Sequence, residues 1–135
     1  MTQGTYLLIL SLSESAVRQV GSLDEVLFHA GWYVYVGSAF GPGGFSRITR
    51  HRELANSPGS QQNLHWHIDY LLTLPSLSFC NALTWPNIDR ECSIAKLLHQ
   101  KPVAGFGSSD CNCHSHLGYF SSTSCLRSWI STIDK

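Results

Sequence analysis

The sequence has few charged residues and no excess of either sign. Charged residues make up 13% of the 135 residues, and nine Lys and Arg balance nine Asp and Glu, so the formal net charge is zero. Strong nonspecific binding of nucleic acids depends on neutralising many phosphates, and this composition argues against it. It still allows a small local patch of positive charge.

The sequence also lacks segments that direct a chain to or through a membrane. No apolar run reaches the roughly 20 residues that a membrane-spanning helix requires. The N-terminus has neither the basic region nor the cleavage-site pattern of a signal peptide. These features predict a cytoplasmic protein without a membrane partner. The five cysteines, an odd number, then fit reduced thiols better than a disulfide framework.

No internal repeat, low-complexity segment or second domain is visible. A hydrophobic fraction of 43% is typical of a globular chain, and a domain of this length buries roughly two-thirds of its unfolded surface. We therefore expect one domain over residues 1–135.

The most informative stretch of the chain is 31–51, GWYVYVGSAFGPGGFSRITRH. Residues 31–37 alternate in period two and are bulky on both faces, which predicts a central strand. The glycine-rich loop Gly41–Gly44 follows, and a helical stripe begins at Phe45. The loop is a candidate phosphate cradle, although it lacks the lysine of a nucleotide-hydrolysing P-loop.

The remaining elements follow from periodicity and turn signals. Strands are predicted at 5–12, 16–20, 65–74, 77–85 and 117–120, with one helical turn at 24–28 and an exposed loop at 56–63. Helices are predicted at 126–133 and at 89–99, the latter with Asp89 as its N-cap. The fold class is α/β (α+β), a small, mainly antiparallel sheet flanked by helices.

Several polar side chains should meet where the strand ends and the helix begins. Arg47 and His51 are four residues apart and share a helical face, which brings them near Tyr35 and Gly37. A phenol, a guanidinium and an imidazole in one place suit an anionic substrate. Arg50 and Arg52 are most simply a solvated face that touches phosphates.

These motifs resemble the GIY-YIG nuclease superfamily. Tyr35-Val36-Gly37-Ser38 with Arg47 and His51 is similar to the second half of its signature, and Gly4-Thr5-Tyr6 to the first. More specifically, the chain resembles a small GIY-YIG-like family that in some proteins is fused to a base-excision DNA glycosylase. The shared motifs are GxYVYVGSA, GPGG, RxxRH, WHIDYLL, EC-x-x-A and GFGSSDC.

The resemblance implies a magnesium-dependent phosphodiesterase acting on DNA, in the setting of DNA repair. Tyr6, Tyr35, Arg47 and His51 would be catalytic, and Glu91 would bind Mg²⁺ or Mn²⁺. Substrate contacts fall to Gly37, Ser38, Arg50 and Arg52, and supporting roles to His67, Asp69 and Asp110. One departure is an extended first hairpin, because Tyr6 and Tyr35 lie 29 positions apart where the superfamily has a short connection.

Other interpretations of the same residues remain open. His65, His67 and Asp69 would share one face of a strand and could ligate a transition metal. Cys111, Cys113, His114 and His116 resemble a zinc cluster, but the close cysteine spacing makes zinc an unfavoured expectation. Glu91 could simply stabilise a helix N-terminus. The alternatives to an endonuclease are therefore an inactive nucleic-acid-binding module of the same fold and a zinc-stabilised interaction domain.

Overall fold

The computed structural model describes residues 2–57, 64, 66–98, 100–107 and 115–133. The strands are β1 (Gly4–Leu12), β2 (Ala16–Gln19), β3 (Glu25–Phe28), β4 (Gly31–Ser38), β5 (Leu77–Pro86) and β6 (Leu117–Phe120). The helices are α1 (Ser46–Ala55), α2 (His67–Leu72), α3 (Glu91–Lys96) and α4 (Thr123–Ile133), and Gly21–Leu23 form a single 3-10 turn. The fold is α+β, as the sequence predicted.

The main sheet has four antiparallel strands in the order β5-β1-β4-β6. The two most apolar strands, β1 and β4, are thus central, which explains why both of their faces carry bulky residues. A separate two-stranded sheet, β2-β3, is inserted between them in the chain. The inserted hairpin accounts for the long separation of the two tyrosine motifs.

The sheet has a hydrophobic core on each face. One core contains Tyr6, Leu8, Tyr33 and Tyr35 and includes the buried residues of α2 and of the β2-β3 hairpin. The other contains Leu7, Ile9, Val34 and Val36, packed against α3 and α4. Alternate residues of each central strand therefore serve opposite cores.

Two secondary-structure predictions are wrong. Residues 24–28 were expected to form a helical turn, but Glu25–Phe28 are the strand β3, with Val26 and Phe28 buried and Leu27 exposed. The alternation is only four residues long, and pairing with β2 decides its conformation.

Residues 65–74 were expected to form a strand, but His67–Leu72 are the helix α2. Ile68, Leu71 and Leu72 are buried together, a spacing that fits a helix as well as the alternation fits a strand. The buried carboxylate of Asp69 accepts a hydrogen bond from the Trp66 N–H at 3.1 Å, which stabilises the start of the helix. The proposed metal-binding strand face of His65, His67 and Asp69 therefore does not exist, and His65 itself lies outside the described residues.

The cap predicted for α3 is also wrong. Arg90, not Asp89, occupies the N-cap position, and its side chain makes no capping hydrogen bond. The Arg90 N–H donates instead to the buried Thr5 hydroxyl at 2.8 Å, and that hydroxyl donates to the Ile88 carbonyl at 2.7 Å. A residue of β1 thus fixes the position at which α3 begins.

In the described part of the chain, no helix is both long enough and apolar enough to cross a bilayer.

Candidate functional site

Tyr6 and Tyr35 lie side by side on the same face of the sheet. In the β1-β4 register Tyr6 is opposite Gly37 and Leu8 is opposite Tyr35, and the ring centroids of the two tyrosines are 6.5 Å apart. Gly37 is necessary for this arrangement, because a Cβ at this position would overlap the Tyr6 ring. The inserted hairpin therefore leaves the two tyrosine motifs in register.

His51 of α1 joins the two tyrosines. Its Nε2 is 2.9 Å from the Tyr6 hydroxyl in a buried hydrogen bond, and its ring centroid is 5.6 Å from that of Tyr6 and 6.4 Å from that of Tyr35. The side chain is 1% exposed, and Nδ1 has no hydrogen-bond partner within the described part of the chain. Burial lowers the pKa of His51 to about 4, so the imidazole is neutral at pH 7.

Both tyrosines are protonated in the free protein. Burial raises the pKa of Tyr6 above its usual value, and Arg47 partly opposes this shift. Burial also raises the pKa of Tyr35, with a further contribution from Tyr6. The negative charge of Glu91 raises both tyrosine pKa values further. The Glu91 carboxylate is therefore close enough to act on the two tyrosines electrostatically. A phenolate is therefore unavailable at neutral pH without help from another group.

Arg47 lies at the end of β4, where the sequence predicted it. Its Nη1 donates a hydrogen bond to the Ser38 carbonyl at 2.7 Å. The guanidinium also fills the space beside Gly41, where a Cβ would clash with Nη2. Its Cζ is 5.8 Å from the ring centroid of Trp66, a residue that is 44% exposed. The exposed Trp66 ring also lies 6.2 Å from the His51 ring, so a cation and an aromatic ring lie beside that histidine.

The glycine-rich loop is a compact turn and not an open anion cradle. The N–H groups of Gly44, Phe45, Ser46 and Arg47 all donate to carbonyl oxygens of the protein. Gly43 and Gly44 have φ values of 90° and 52°, which side-chain-bearing residues rarely adopt. The loop therefore orients α1, and the N–H groups from Gly44 to Arg47 are already engaged.

Arg50 and Asp69 form a pair that links α1 to α2. The two guanidinium nitrogens reach the two carboxylate oxygens at 2.9 and 3.0 Å, and Asp69 is fully buried. Arg50 also lies over Trp66, with Cζ 4.7 Å from the ring centroid. Asp69 thus holds Arg50 and the Trp66 backbone beside His51; its supporting role stays a prediction. The predicted phosphate contact from Arg50 competes with this ion pair, and Arg52 lies over Phe79 at 5.0 Å.

His67, another predicted supporting residue, begins α2. Its Nδ1 accepts a hydrogen bond from the Gly107 N–H at 2.9 Å, and its ring is 5.6 Å from that of Phe106. Gly107 packs against Tyr35, since a Cβ there would lie 3.0 Å from the Tyr35 ring. Asp110, the third predicted supporting residue, lies outside the described residues.

Glu91 begins α3 and faces a histidine that precedes β6. The Nδ1 of His116 is 3.5 Å from a Glu91 carboxylate oxygen. The His116 backbone is fixed on both sides: its N–H donates to Phe106, and its carbonyl accepts the Val36 N–H. One potential ligand atom each from Glu91, Cys92 and His116 lies within 4.8 Å of the others.

Sequence reasoning gave Cys92 and Thr5 no role in the site and assigned His116 to a different group. Cys111, Cys113 and His114, the other members of that predicted zinc cluster, lie outside the described residues. Cys92 and His116 are 24 positions apart, and no local motif joins them. Only the folding of α3 against the end of β4 brings them together.

Residues 5–135 match a family described as a domain of unknown function, DUF123. No curated protein matches, and no solved structure matches.

Proposed function

The chain belongs to the DUF123 family, and we propose that it is a metal-dependent DNA endonuclease that hydrolyses phosphodiesters beside Tyr6. The observation that carries the proposal is the buried 2.9 Å hydrogen bond between the Tyr6 hydroxyl and His51. Tyr35 packs beside Tyr6, and the charges of Arg47 and Glu91 act on the Tyr6 hydroxyl. The sequence resemblance to GIY-YIG nucleases suggests catalytic or metal-binding roles for these same residues.

The Tyr6-His51 pair offers a route for the proton of the attacking water. Tyr6 is a poor base alone, because its pKa is raised. It can instead accept the water proton while passing its own proton to the neutral His51. An anionic phosphodiester beside the pair raises the pKa of His51, so the imidazole becomes a better proton acceptor when substrate is bound.

Arg47 is suited to stabilise the negative charge that develops on the phosphate. Its guanidinium is held at the Ser38 carbonyl, so its position is fixed before substrate arrives. Preorganised donors of this kind contribute more to catalysis than mobile ones, because they need no reorganisation in the transition state. Tyr35, next to Tyr6, would orient the attacking water.

Glu91 would hold the divalent cation. The resemblance suggests Mg²⁺ or Mn²⁺, and such an ion, when bound, supplies positive charge to the phosphate oxygens. Glu91 is held at the start of α3 by the hydrogen bond between Thr5 and Arg90, so this carboxylate too occupies a defined position.

DNA is the substrate that the surroundings of the site suit best. Trp66 presents an exposed ring, with Arg47 and Arg50 near it, and aromatic rings flanked by cations bind unstacked bases. The neutral chain favours binding of a particular DNA structure over nonspecific binding. A role in DNA repair and a cytoplasmic location complete the proposal.

The test is incubation of purified protein with labelled duplex, single-stranded, flap and abasic DNA. Each is tested with Mg²⁺, Mn²⁺ or Zn²⁺ and with a chelator. We expect metal-dependent nicking that Glu91→Ala and Arg47→Ala abolish. Glu14→Ala and Arg127→Ala are matched controls, since both residues are exposed and neither belongs to the proposed site.

Two results would contradict cleavage. If folded wild-type protein binds DNA but cuts none of the substrates, the chain is a nucleic-acid-binding module. If it neither binds nor cuts, the site serves another function, and a zinc-stabilised interaction domain becomes the leading alternative.

A further inference from the structure

We propose that Glu91, Cys92 and His116 form a binding site for zinc or a similar transition-metal ion. The inference deepens the proposed function, because Glu91 is also the metal residue of the endonuclease. A catalytic role for the bound ion rests on the proposed endonuclease function. Metal binding itself can be tested without DNA.

The chemical types of the three side chains favour a transition-metal ion. A carboxylate, a thiol and an imidazole occur together around zinc and other transition metals. Magnesium prefers oxygen donors in octahedral geometry and gains little from sulfur or nitrogen. Cys92 is a free thiol, so it is available to deprotonate and bind. The residues beside Glu91 thus fit a softer ion than the one that the sequence resemblance implies.

The distances between the ligand atoms also favour zinc. Nitrogen and oxygen ligands of a tetrahedral zinc ion lie roughly 3.3–3.5 Å apart, whereas octahedral magnesium would bring its ligands to roughly 3 Å. The Nδ1 of His116 and the Glu91 oxygen are 3.5 Å apart. All three ligand atoms lie within 4.8 Å of one another, and Cys92 is partly exposed.

The two segments that carry the ligands, the residues before β6 and the start of α3, are held firmly in place. His116 is 1% exposed, and its backbone is hydrogen-bonded to Val36 and Phe106. The start of α3 is fixed by Thr5. Metal sites need ligands held in place by such surroundings. Three protein ligands leave the fourth tetrahedral position for water or a phosphate oxygen, the arrangement of catalytic zinc sites.

The test measures metal binding directly. Chelator-treated protein is titrated with Zn²⁺ in competition with a chromophoric chelator, and with Co²⁺ while the absorption spectrum is recorded. We expect one zinc ion per chain and a thiolate-to-cobalt charge-transfer band. Cys92→Ser should remove that band and weaken zinc binding more than about tenfold, since even an indirect partner of a metal ligand contributes about 10–100-fold.

Matched variants separate this site from other thiols and from loss of folding. Cys80→Ser and Cys125→Ser alter exposed free thiols and should leave both signals unchanged. Glu91→Gln should weaken zinc binding like Cys92→Ser, with the circular dichroism spectrum of the folded protein retained. His116→Gln serves as a third ligand variant.

Three results would overturn the inference. The first is that the wild type binds no zinc. The second is that Cys92→Ser keeps the charge-transfer band unchanged. The third is that zinc binding is lost in Cys111→Ser/Cys113→Ser but kept in Cys92→Ser. Failure of the endonuclease proposal would look different: zinc would bind through the three residues, and no DNA substrate would be cut.

Discussion

The chemistry of the site depends on the protonation of single residues. Tyr6 and Tyr35 are neutral phenols and His51 is a neutral imidazole, in each case mainly because the side chain is buried. A tyrosine alone is therefore a poor base here. The hydrogen bond between Tyr6 and His51 joins two neutral groups, and the proposed proton transfer depends on it.

The low pKa of His51 predicts a loss of stability in mild acid. Unfolded histidine titrates near 6.5, whereas folded His51 titrates at about 4. The unfolded state therefore binds more protons between these values, and stability falls as pH drops from 6.5 toward 4. The His51 contribution should decrease by about 2 kcal/mol between pH 7 and pH 5.

Urea unfolding at the two pH values measures this difference. His51→Gln should remove that part of the pH dependence, whereas His29→Gln, a change at an exposed histidine, should keep it. Equal pH dependence in wild type and His51→Gln would contradict a buried neutral imidazole.

Among the elements, the pairing of β1 with β4 creates the site. The register places Tyr6 opposite Gly37, and the absent side chain leaves space for the phenol ring. α1 then brings Arg47 and His51 over the end of these strands. The tyrosine motif, the glycine and the helix form one structural unit.

Gly37→Ala tests this unit. The added methyl group would overlap the Tyr6 ring, so it should displace the ring and destabilise the fold by about 1–3 kcal/mol. Tyr6→Leu lacks the clashing ring atoms. In that background the cost of Gly37→Ala should largely disappear in a double-mutant cycle of unfolding free energies. The same cost in both backgrounds would show that the glycine is needed for another reason.

Sequence analysis correctly predicted the elements that have long, clear hydrophobic patterns. It failed for elements whose conformation is decided by tertiary contacts. The central strands and α1 follow from periodicity and glycine signals. α2 was mistaken for a strand because 65–74 alternates, whereas Ile68, Leu71 and Leu72 are buried together and Asp69 caps the start of a helix. The grouping of Tyr6, Tyr35, Arg47 and His51 could be predicted from a resemblance. The approach of Cys92 to His116 could not, because it depends on packing between distant segments.

For the whole molecule, the main sheet carries a separate core on each face, and the candidate residues come from elements on both faces. One core holds the tyrosine face and the inserted hairpin, and the other holds α3 and α4. The candidate residues gather at the end of the sheet where β4 ends and α3 begins. This arrangement explains how a chain with zero net charge can concentrate cations and a carboxylate around a small buried pair.

The most direct test of the central claim is the DNA-nicking rate of Tyr6→Phe beside Tyr119→Phe. Both changes remove one hydroxyl, but the Tyr119 hydroxyl donates to the Ala30 carbonyl, away from the proposed site. The account predicts that Tyr119→Phe cuts like the wild type. Tyr6→Phe should lose about 100-fold or more, the usual contribution of general acid–base catalysis. Equal rates for Tyr6→Phe and the wild type would contradict a nuclease site built on the Tyr6-His51 pair.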